Sequence, residues 1–188
     1  MSDAWLVVGL GNPGPTYARN RHNAGFQVAD RLAETLGERF GSRSRAQVAE
    51  TRLPPLGGVP GPRLVIAKPA VFMNESGGPV AALTQFFGVE PARLLVVHDE
   101  LELPLGEIRL KFGGGEGGHN GLRSISKSVK TRDYLRLRLG IGRPPGRQDP
   151  ADFVLRDVPN AEKADWGVMI ESAVDDVERV VRGELSAL

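Results

Sequence analysis

Residues 4–15 read AWLVVGLGNPGP and set the class of the fold. Their first seven residues, Ala4 to Leu10, are a short apolar run without polar alternation, which predicts a strand buried on both faces. The glycines and prolines that follow must take the chain out of the sheet. In open α/β sheets, such loops at the carboxyl ends of strands bind ligands. We therefore expect a functional loop directly after Leu10.

The same pattern recurs twice. Apolar runs at 63–68 (RLVIAK) and 94–98 (LLVVH) each lead into a polar motif, and a weaker strand is predicted near 46–53. The segments 107–112 and 134–141 alternate apolar with basic residues, which predicts half-buried strands with one wet, positive face.

Helices are predicted between these strands. Asn23 is expected to cap a helix ending near Leu36, Ser76 to cap one ending at Gly88, and Asn160 to cap a long C-terminal helix. The whole chain, residues 1–188, is thus predicted to be a single α/β domain with a mixed, largely parallel central sheet and helices on both faces. The apolar stripe of the last helix is Trp166, Met169, Ile170, Ala173, Val174, Val177, Val180 and Val181.

The amino-acid composition excludes several classes of protein and of catalytic or metal site. With 188 residues, 40% hydrophobic and 25% charged, the chain is typical of a globular domain rather than a disordered one. The absence of cysteine excludes a disulfide framework, a thiolate zinc site and a cysteine nucleophile. The N-terminal segment has no basic leader, and no apolar run approaches the roughly 20 residues of a membrane span, which predicts a cytoplasmic protein.

The net charge of +1 conceals an uneven distribution. Residues 109–147 contain ten basic and two acidic side chains, a net charge of +8, so the remainder carries −7. A charge run is usually a solvated face. This one, however, contains the glycine-rich loop GGGEGGHNG, whose backbone can approach a large polar ligand closely. The combination favours a phosphate-bearing partner.

GLGNPG also matches the dinucleotide-binding spacing, with Gly9, Gly11 and Gly14 in register. We reject this interpretation, because the Pro-Gly-Pro that follows Asn12 forbids the smooth turn into a helix that a pyrophosphate site needs. The motif is interpreted instead as a rigid turn that presents the Asn12 amide at the edge of the sheet.

His22 and Asp99 are candidates for acid–base chemistry. His22 precedes a helix start and could simply satisfy the helix end, whereas Asp99 follows a buried strand and could simply cap a turn. If the two side chains meet, the carboxylate would orient the imidazole and favour its protonated form. Because Ser76 lacks the G-x-S-x-G elbow, attack by histidine-activated water is more economical than an acyl-enzyme.

A metal site is the competing interpretation of HDELELP. Side chains of adjacent residues in an extended segment alternate sides, so His98, Asp99, Glu100 and Glu102 cannot converge easily. We expect no metal there.

Taken in order, six motifs resemble the bacterial-type peptidyl-tRNA hydrolases from Leu6 to about Val154: GLGNPG, RHNAG, KPAVFMNESG, HDELELP, KFGGGEGGHNGLRS and RLRLGIGRPPG. The resemblance implies a monomeric α/β hydrolase without a cofactor. Its substrate would be peptidyl-tRNA, cleaved at the ester that joins a peptide or another N-blocked aminoacyl group to the terminal adenosine.

The resemblance also implies roles for matching residues. His22 would activate water, Asp99 would orient His22, and Asn12 would help distinguish blocked from free aminoacyl groups. Lys111 and Arg138 match the pair that grips the tRNA 5′ phosphate. Substrate or tRNA binding is expected at eight residues in all: Tyr17, Phe72, Met73, Asn74, Lys111, His119, Asn120 and Arg138.

One departure and two alternatives accompany this interpretation. The residues before His22 are RNR rather than the family's usual threonine-arginine pair, so hydrogen bonds near His22 are expected to be rearranged. A non-catalytic RNA-binding protein would explain the basic loop but not Asn12, His22, Asn74 and Asp99. A nucleotide-dependent oxidoreductase rests on the glycine spacing alone.

Overall fold

The computed structural model describes residues 3–187, so Met1, Ser2 and Leu188 of the predicted domain lie outside the described residues. The described chain contains one seven-stranded sheet. Its strands are β1 (Trp5–Gly9), β2 (Gly41–Arg43), β3 (Ala46–Arg52), β4 (Arg63–Pro69), β5 (Leu94–Glu100), β6 (Ile108–Phe112) and β7 (Leu135–Gly140).

The sheet is mixed and mostly parallel, as predicted. Its strand order is β2-β3-β4-β1-β5-β7-β6. The four central strands β4, β1, β5 and β7 are parallel, whereas β2, β3 and β6 add antiparallel edges. Carboxyl ends of parallel strands meet at one edge, so the loops after β1, β4 and β5 lie together there.

Helices cover both faces of the sheet. The helices are α1 (Ala24–Thr35), α2 (Gly77–Phe87), α3 (Asn120–Val129), α4 (Pro150–Val154) and α5 (Lys163–Val181). Helices α1 and α5 share one apolar core with the sheet, and α2 and α3 share the core on the opposite face. The predicted stripe of α5 is confirmed, since all eight residues are buried. No helix of the described residues is both long and apolar enough to cross a membrane.

The glycines at the end of β1 and just after it allow close packing. A Cβ at Gly9 would lie 2.1 Å from the carbonyl oxygen of Gly25 in α1, and one at Gly11 would lie 2.6 Å from the ring of Phe26. The start of α1 can therefore lie directly against β1. This contact brings His22, just before α1, to the edge where β1 and β5 end.

The three predicted helix caps are wrong in detail. None of the side chains of Asn23, Ser76 and Asn160 makes a capping hydrogen bond. The Ser76 hydroxyl donates to the Met73 carbonyl (2.7 Å), and Asn160 opens a 3-10 turn that precedes α5. Asn23 instead binds the backbone of Asn12, because a carboxamide can satisfy both a buried N–H and a buried C=O.

The prediction that the basic face of β7 is exposed to solvent is also wrong at Arg136. This side chain is 1% exposed, because β7 lies between β5 and β6 and the glycine-rich loop folds over it. Its guanidinium donates to the carbonyl oxygens of Gly115 (2.6 Å), Gly114 (2.8 Å) and Arg132 (3.1 Å). The buried Arg136 guanidinium therefore holds the glycine-rich loop in place.

Candidate active site

A crevice of about 370 Å³ opens at the carboxyl edge of β1 and β5. Residues that are far apart in sequence converge on it. Eight of the predicted site residues line it: Asn12, His22, Phe72, Met73, Asn74, Asp99, His119 and Asn120.

His22 and Asp99 meet in this crevice. His22 Nδ1 lies 2.8 Å from Asp99 Oδ2, and Asp99 is 3% exposed near the end of β5. The sequence placed Asp99 just past the strand, whereas β5 continues through it to Glu100. Since an ionised carboxylate only accepts, Nδ1 carries the proton and Nε2 keeps its lone pair. His22 is thus arranged as a base.

A second histidine shares the same carboxylate. His119 Nε2 lies 2.8 Å from Asp99 Oδ1. His119 caps α3, and its Nδ1 accepts the backbone N–H groups of Gly121 (3.1 Å) and Leu122 (3.4 Å). Nδ1 must therefore be unprotonated, which puts the proton on Nε2, where it is donated to Asp99. The sequence pointed to His119 only as a binding residue and missed this pairing.

The electrostatics of the pair favour an ionised carboxylate beside a basic imidazole. Burial alone lowers the pKa of His22, but the charge of Asp99 and its hydrogen bond outweigh burial and raise that pKa. For Asp99, burial alone raises the pKa, but the two histidines hold it well below its usual range. Asp99 is therefore charged at neutral pH.

His98 lies next to Asp99 in sequence but is buried and does not line the crevice. Its Nδ1 donates to the carbonyl oxygen of Asp99 (2.6 Å), and its Nε2 is buried without a partner among the described residues. Burial, followed by the neighbouring His119, lowers its pKa to about 3. His98 is thus a neutral core residue that packs edge-on against the His119 ring, with 5.0 Å between ring centroids.

The Asn12 carboxamide is fixed in one orientation. The side chain of Asn23 binds both the N–H and the C=O of Asn12 at 2.9 Å. Asn12 Oδ1 accepts the backbone N–H of Met73 at 2.8 Å, so its NH₂ group is left to donate in the crevice. A preorganised donor of this kind can stabilise negative charge that develops on a substrate oxygen.

The other predicted binding residues lie around the crevice. Asn74 and Asn120 are exposed and line it, and Met73 is buried in its wall. Phe72 is 54% exposed and meets the ring of Tyr17 edge-on, with 6.3 Å between centroids. Tyr17 itself is not among the described residues that line the crevice.

Lys111 and Arg138 lie in a neighbouring pocket of about 280 Å³ and not in the crevice itself. Both pockets are lined by Glu100 and Gly117. Arg138 is already engaged, because its Nε donates to Glu100 Oε1 at 3.0 Å. The two predicted cations are therefore brought together beside the histidine pair.

Comparisons with known proteins identify relatives of this chain. The peptidyl-tRNA hydrolase family model matches residues 6–188. A peptidyl-tRNA hydrolase from Frankia casuarinae is 62% identical over 178 residues, which cover 94% of this chain and 87% of the relative. One from Arthrobacter sp. strain FB24 is 54% identical over 188 residues, covering 100% and 95%.

This chain belongs to the peptidyl-tRNA hydrolase family. A crystal structure of peptidyl-tRNA hydrolase from Acinetobacter baumannii superimposes with a TM-score of 0.85 at 37% identity, covering 98% of this chain and 91% of that one.

The residues just before His22 contact the segment at and just after the end of α4. The sequence departs here from the usual peptidyl-tRNA hydrolase motif. Asn20 Nδ2 donates to Asp157 Oδ1 at 2.7 Å, and the backbone N–H of Arg21 donates to the Arg156 carbonyl at 3.1 Å. The Arg21 guanidinium lies over the Phe153 ring, 4.0 Å from its centroid. These contacts fix α4, whose Val154 lines the crevice, and the sequence did not predict them.

His22, Asp99 and His119 also form the kind of cluster that can hold a metal ion, with all three ligand atoms within 4.8 Å of one another. A metal on His119 Nε2 would force its proton onto Nδ1, where two backbone N–H groups already point. The start of α3 therefore disfavours a metal and favours the hydrogen-bonded arrangement.

Proposed function

We propose that this protein hydrolyses the ester bond between a peptide, or another N-blocked aminoacyl group, and tRNA, using water activated by His22. The observation that carries this proposal is the His22–Asp99 hydrogen bond of 2.8 Å in a crevice lined by amide side chains. The family membership supports the substrate class. Residues 1–188 would form one domain with this activity, acting as a monomer in the cytoplasm.

Proton transfer follows from the tautomers. His22 Nε2 takes a proton from water as the water oxygen attacks the ester carbonyl. Asp99 stabilises the imidazolium that forms, because it accepts the Nδ1 proton throughout. The tetrahedral intermediate then collapses, the ribose oxygen of tRNA leaves, and the imidazolium returns the proton to that oxygen. The products are the free carboxylate of the peptide and tRNA with its terminal hydroxyl restored.

The amides suit the substrate. Each carboxamide offers both a donor and an acceptor, as a peptide backbone requires. Asn12 is held so that its NH₂ group can contact the reacting carbonyl, while Asn74 and Asn120 hold the peptide and the terminal nucleotide region. His119 acts here by fixing Asp99, in addition to lining the site.

The tRNA would lie across the α3 side of the molecule. Arg123, Lys127 and Lys130 form one exposed stripe along α3 and its C-terminal end, and their side chains make no ion pair with any described residue. Lys111 and Arg138 would take the 5′ phosphate in the neighbouring pocket. Phosphate contacts of this kind supply affinity without reading sequence.

The activity is tested with N-acetylaminoacyl-tRNA in ¹⁸O-labelled water, with the free aminoacyl-tRNA and the His22→Ala variant as controls. We expect free tRNA and N-acetyl amino acid to be released, with the label in the carboxylate, and little reaction of the free aminoacyl-tRNA. Binding of tRNA without release by the wild-type protein would contradict the proposal and favour a non-catalytic RNA-binding protein.

A further inference from the structure

Arg138 on β7 is restrained by Glu100 on the neighbouring strand β5. Its Nε donates to Glu100 Oε1 at 3.0 Å, and both side chains are largely buried, at 22% and 16% exposed. Glu100 is itself held, since its Oε2 accepts the backbone N–H of Glu102 (3.3 Å) and its carbonyl accepts that of Ile141 (3.0 Å). The pair is therefore a fixed element of the pocket.

The hydrogen bond uses only one edge of the guanidinium. Arg138 Nη1 and Nη2 have no hydrogen-bond partner among the described residues. These two nitrogens form the planar fork that binds phosphate oxygens in pairs. An arginine without such a restraint must lose its rotamer freedom when it binds, which weakens recognition.

Most of the other charged side chains that line this pocket already have a partner. Arg136 is taken up by three backbone carbonyls, Glu102 pairs with Arg143, and Glu116 pairs with Arg132. Lys111 makes no ion pair with a described residue. A phosphate entering the pocket would thus meet Lys111 and the oriented fork of Arg138.

Glu100 also connects the two pockets. It lines both, and it follows Asp99 on the same strand. Adjacent residues of a strand point to opposite sides, so consecutive residues at the end of β5 can serve different partners. Asp99 binds His22, and Glu100 binds Arg138. Two consecutive residues of β5 therefore hold one functional side chain in each pocket.

We propose that Glu100 is a positioning residue for recognition of the tRNA 5′-terminal phosphate, acting by holding the Arg138 guanidinium through its Nε. This inference rests on the function proposed above. It predicts that Glu100 contributes to the choice between substrates rather than to the chemical step.

The test compares kcat/KM for N-acetylaminoacyl-tRNA with its 5′ phosphate present or removed. For the wild-type protein we expect the phosphorylated substrate to be preferred by roughly tenfold or more, as for a charge-assisted contact. In Glu100→Ala this preference should fall by about fivefold or more, with the loss confined to the phosphorylated substrate. Glu100→Gln should keep most of the preference, because its amide oxygen still accepts from Nε.

Glu107→Gln is the matched control, since it removes one carboxylate from a surface pair with Arg109 outside both pockets. Equal losses on both substrates in Glu100→Ala, or an unchanged preference, would overturn the proposal. So would a preference in Glu100→Gln as low as in Glu100→Ala. Failure of the proposed function is distinct, because the wild-type protein would then hydrolyse neither substrate. Equal wild-type rates on the two substrates would overturn the phosphate pocket and the role of Glu100 together.

Discussion

Asp99 accepts one hydrogen bond on each carboxylate oxygen, from His22 and from His119. Because His119 is locked by the N-terminus of α3, it fixes the carboxylate, and the carboxylate fixes His22. Two hydrogen bonds of 2.8 Å, from His119 to Asp99 and from His22 to Asp99, therefore position His22, the proposed base. A substitution at Asp99 should therefore disturb His22.

Asp99→Asn should lower kcat/KM by about 10²-fold or more, because the base loses its orienting anion. The proposed mechanism requires neutral His22, so activity should fall as the pH drops through the pKa of His22. Asp99 raises that pKa against the lowering effect of burial, so its loss should move the acid limb to lower pH. A pH profile of kcat/KM measures this shift. The exposed Asp175→Asn on α5 is the control, and an unmoved acid limb would contradict the pairing.

His98 makes a separate prediction about stability. Its pKa is lowered from 6.5 to about 3 by burial and then by the neighbouring His119, so it stays neutral in the fold and is protonated on unfolding below about pH 6.5. The unfolded state then binds more protons, and stability falls as the pH drops from 6.5 towards 3.

Urea unfolding of the wild type and of His98→Gln between pH 4 and 6.5 measures this effect. The difference between their free energies of unfolding should change by up to about 1.4 kcal/mol per pH unit, with the wild type losing more stability on acidification. Parallel curves would show that His98 is not held neutral.

At the scale of elements, the glycine-rich loop between β6 and α3 depends on β7. The Arg136 fork reaches the carbonyls of Gly114, Gly115 and Arg132 from a fully buried position. This loop leads into His119, so its anchoring also supports the site. Loss of the fork would remove three hydrogen bonds that hold this loop against β7 and would leave a buried space beside the sheet.

Arg136→Lys should lower the free energy of unfolding by about 2–4 kcal/mol, because an ammonium cannot span three divergent carbonyls. The exposed Arg109→Lys on β6 is the matched control and should change stability by less than about 0.5 kcal/mol. Urea denaturation at neutral pH compares the two. Equal, small effects would mean that the loop does not depend on Arg136.

Local sequence patterns predicted the elements that depend on local spacing. The apolar run at 4–10 predicted β1, and the stripe from Trp166 to Val181 predicted α5, because each pattern reports one buried surface. The three-residue β2 is too short to show such a pattern, and it was missed.

What the sequence could not show depends on contacts between distant segments. The basic side chains of β7 alternate in the same way whether they face water or a covering loop, so the burial of Arg136 was not visible. Asn23 has the sequence position of a helix cap, but its side chain binds two backbone groups of Asn12, eleven residues away. His119 and Asp99 are twenty residues apart and meet only through the fold.

At the scale of the whole molecule, the basic segment is less uniformly available than its +8 charge suggests. Arg109, Arg132, Arg138 and Arg143 are ion-paired, and Arg136 is buried. The exposed stripe of α3 therefore carries most of the free charge near the site.

Replacing Arg123, Lys127 and Lys130 together by Gln should weaken tRNA binding and reduce its salt dependence. The slope of log K against log salt should fall by roughly 0.7–0.9 for each phosphate that is no longer neutralised. The exposed Lys163→Gln, on the face covered by α1 and α5, is the control. Fluorescence anisotropy at several salt concentrations measures both effects, and an unchanged slope would remove α3 from the tRNA surface.

The proposed mechanism depends on activation of the attacking water by His22. The most direct measurement is the single-turnover rate of N-acetylaminoacyl-tRNA hydrolysis at saturating enzyme, for the wild type and for His22→Asn, with the Kd for tRNA determined in parallel. We predict that the rate falls by about 10²–10⁴-fold while Kd changes less than about threefold. A His22→Asn rate within tenfold of the wild type, at unchanged Kd, would contradict the mechanism.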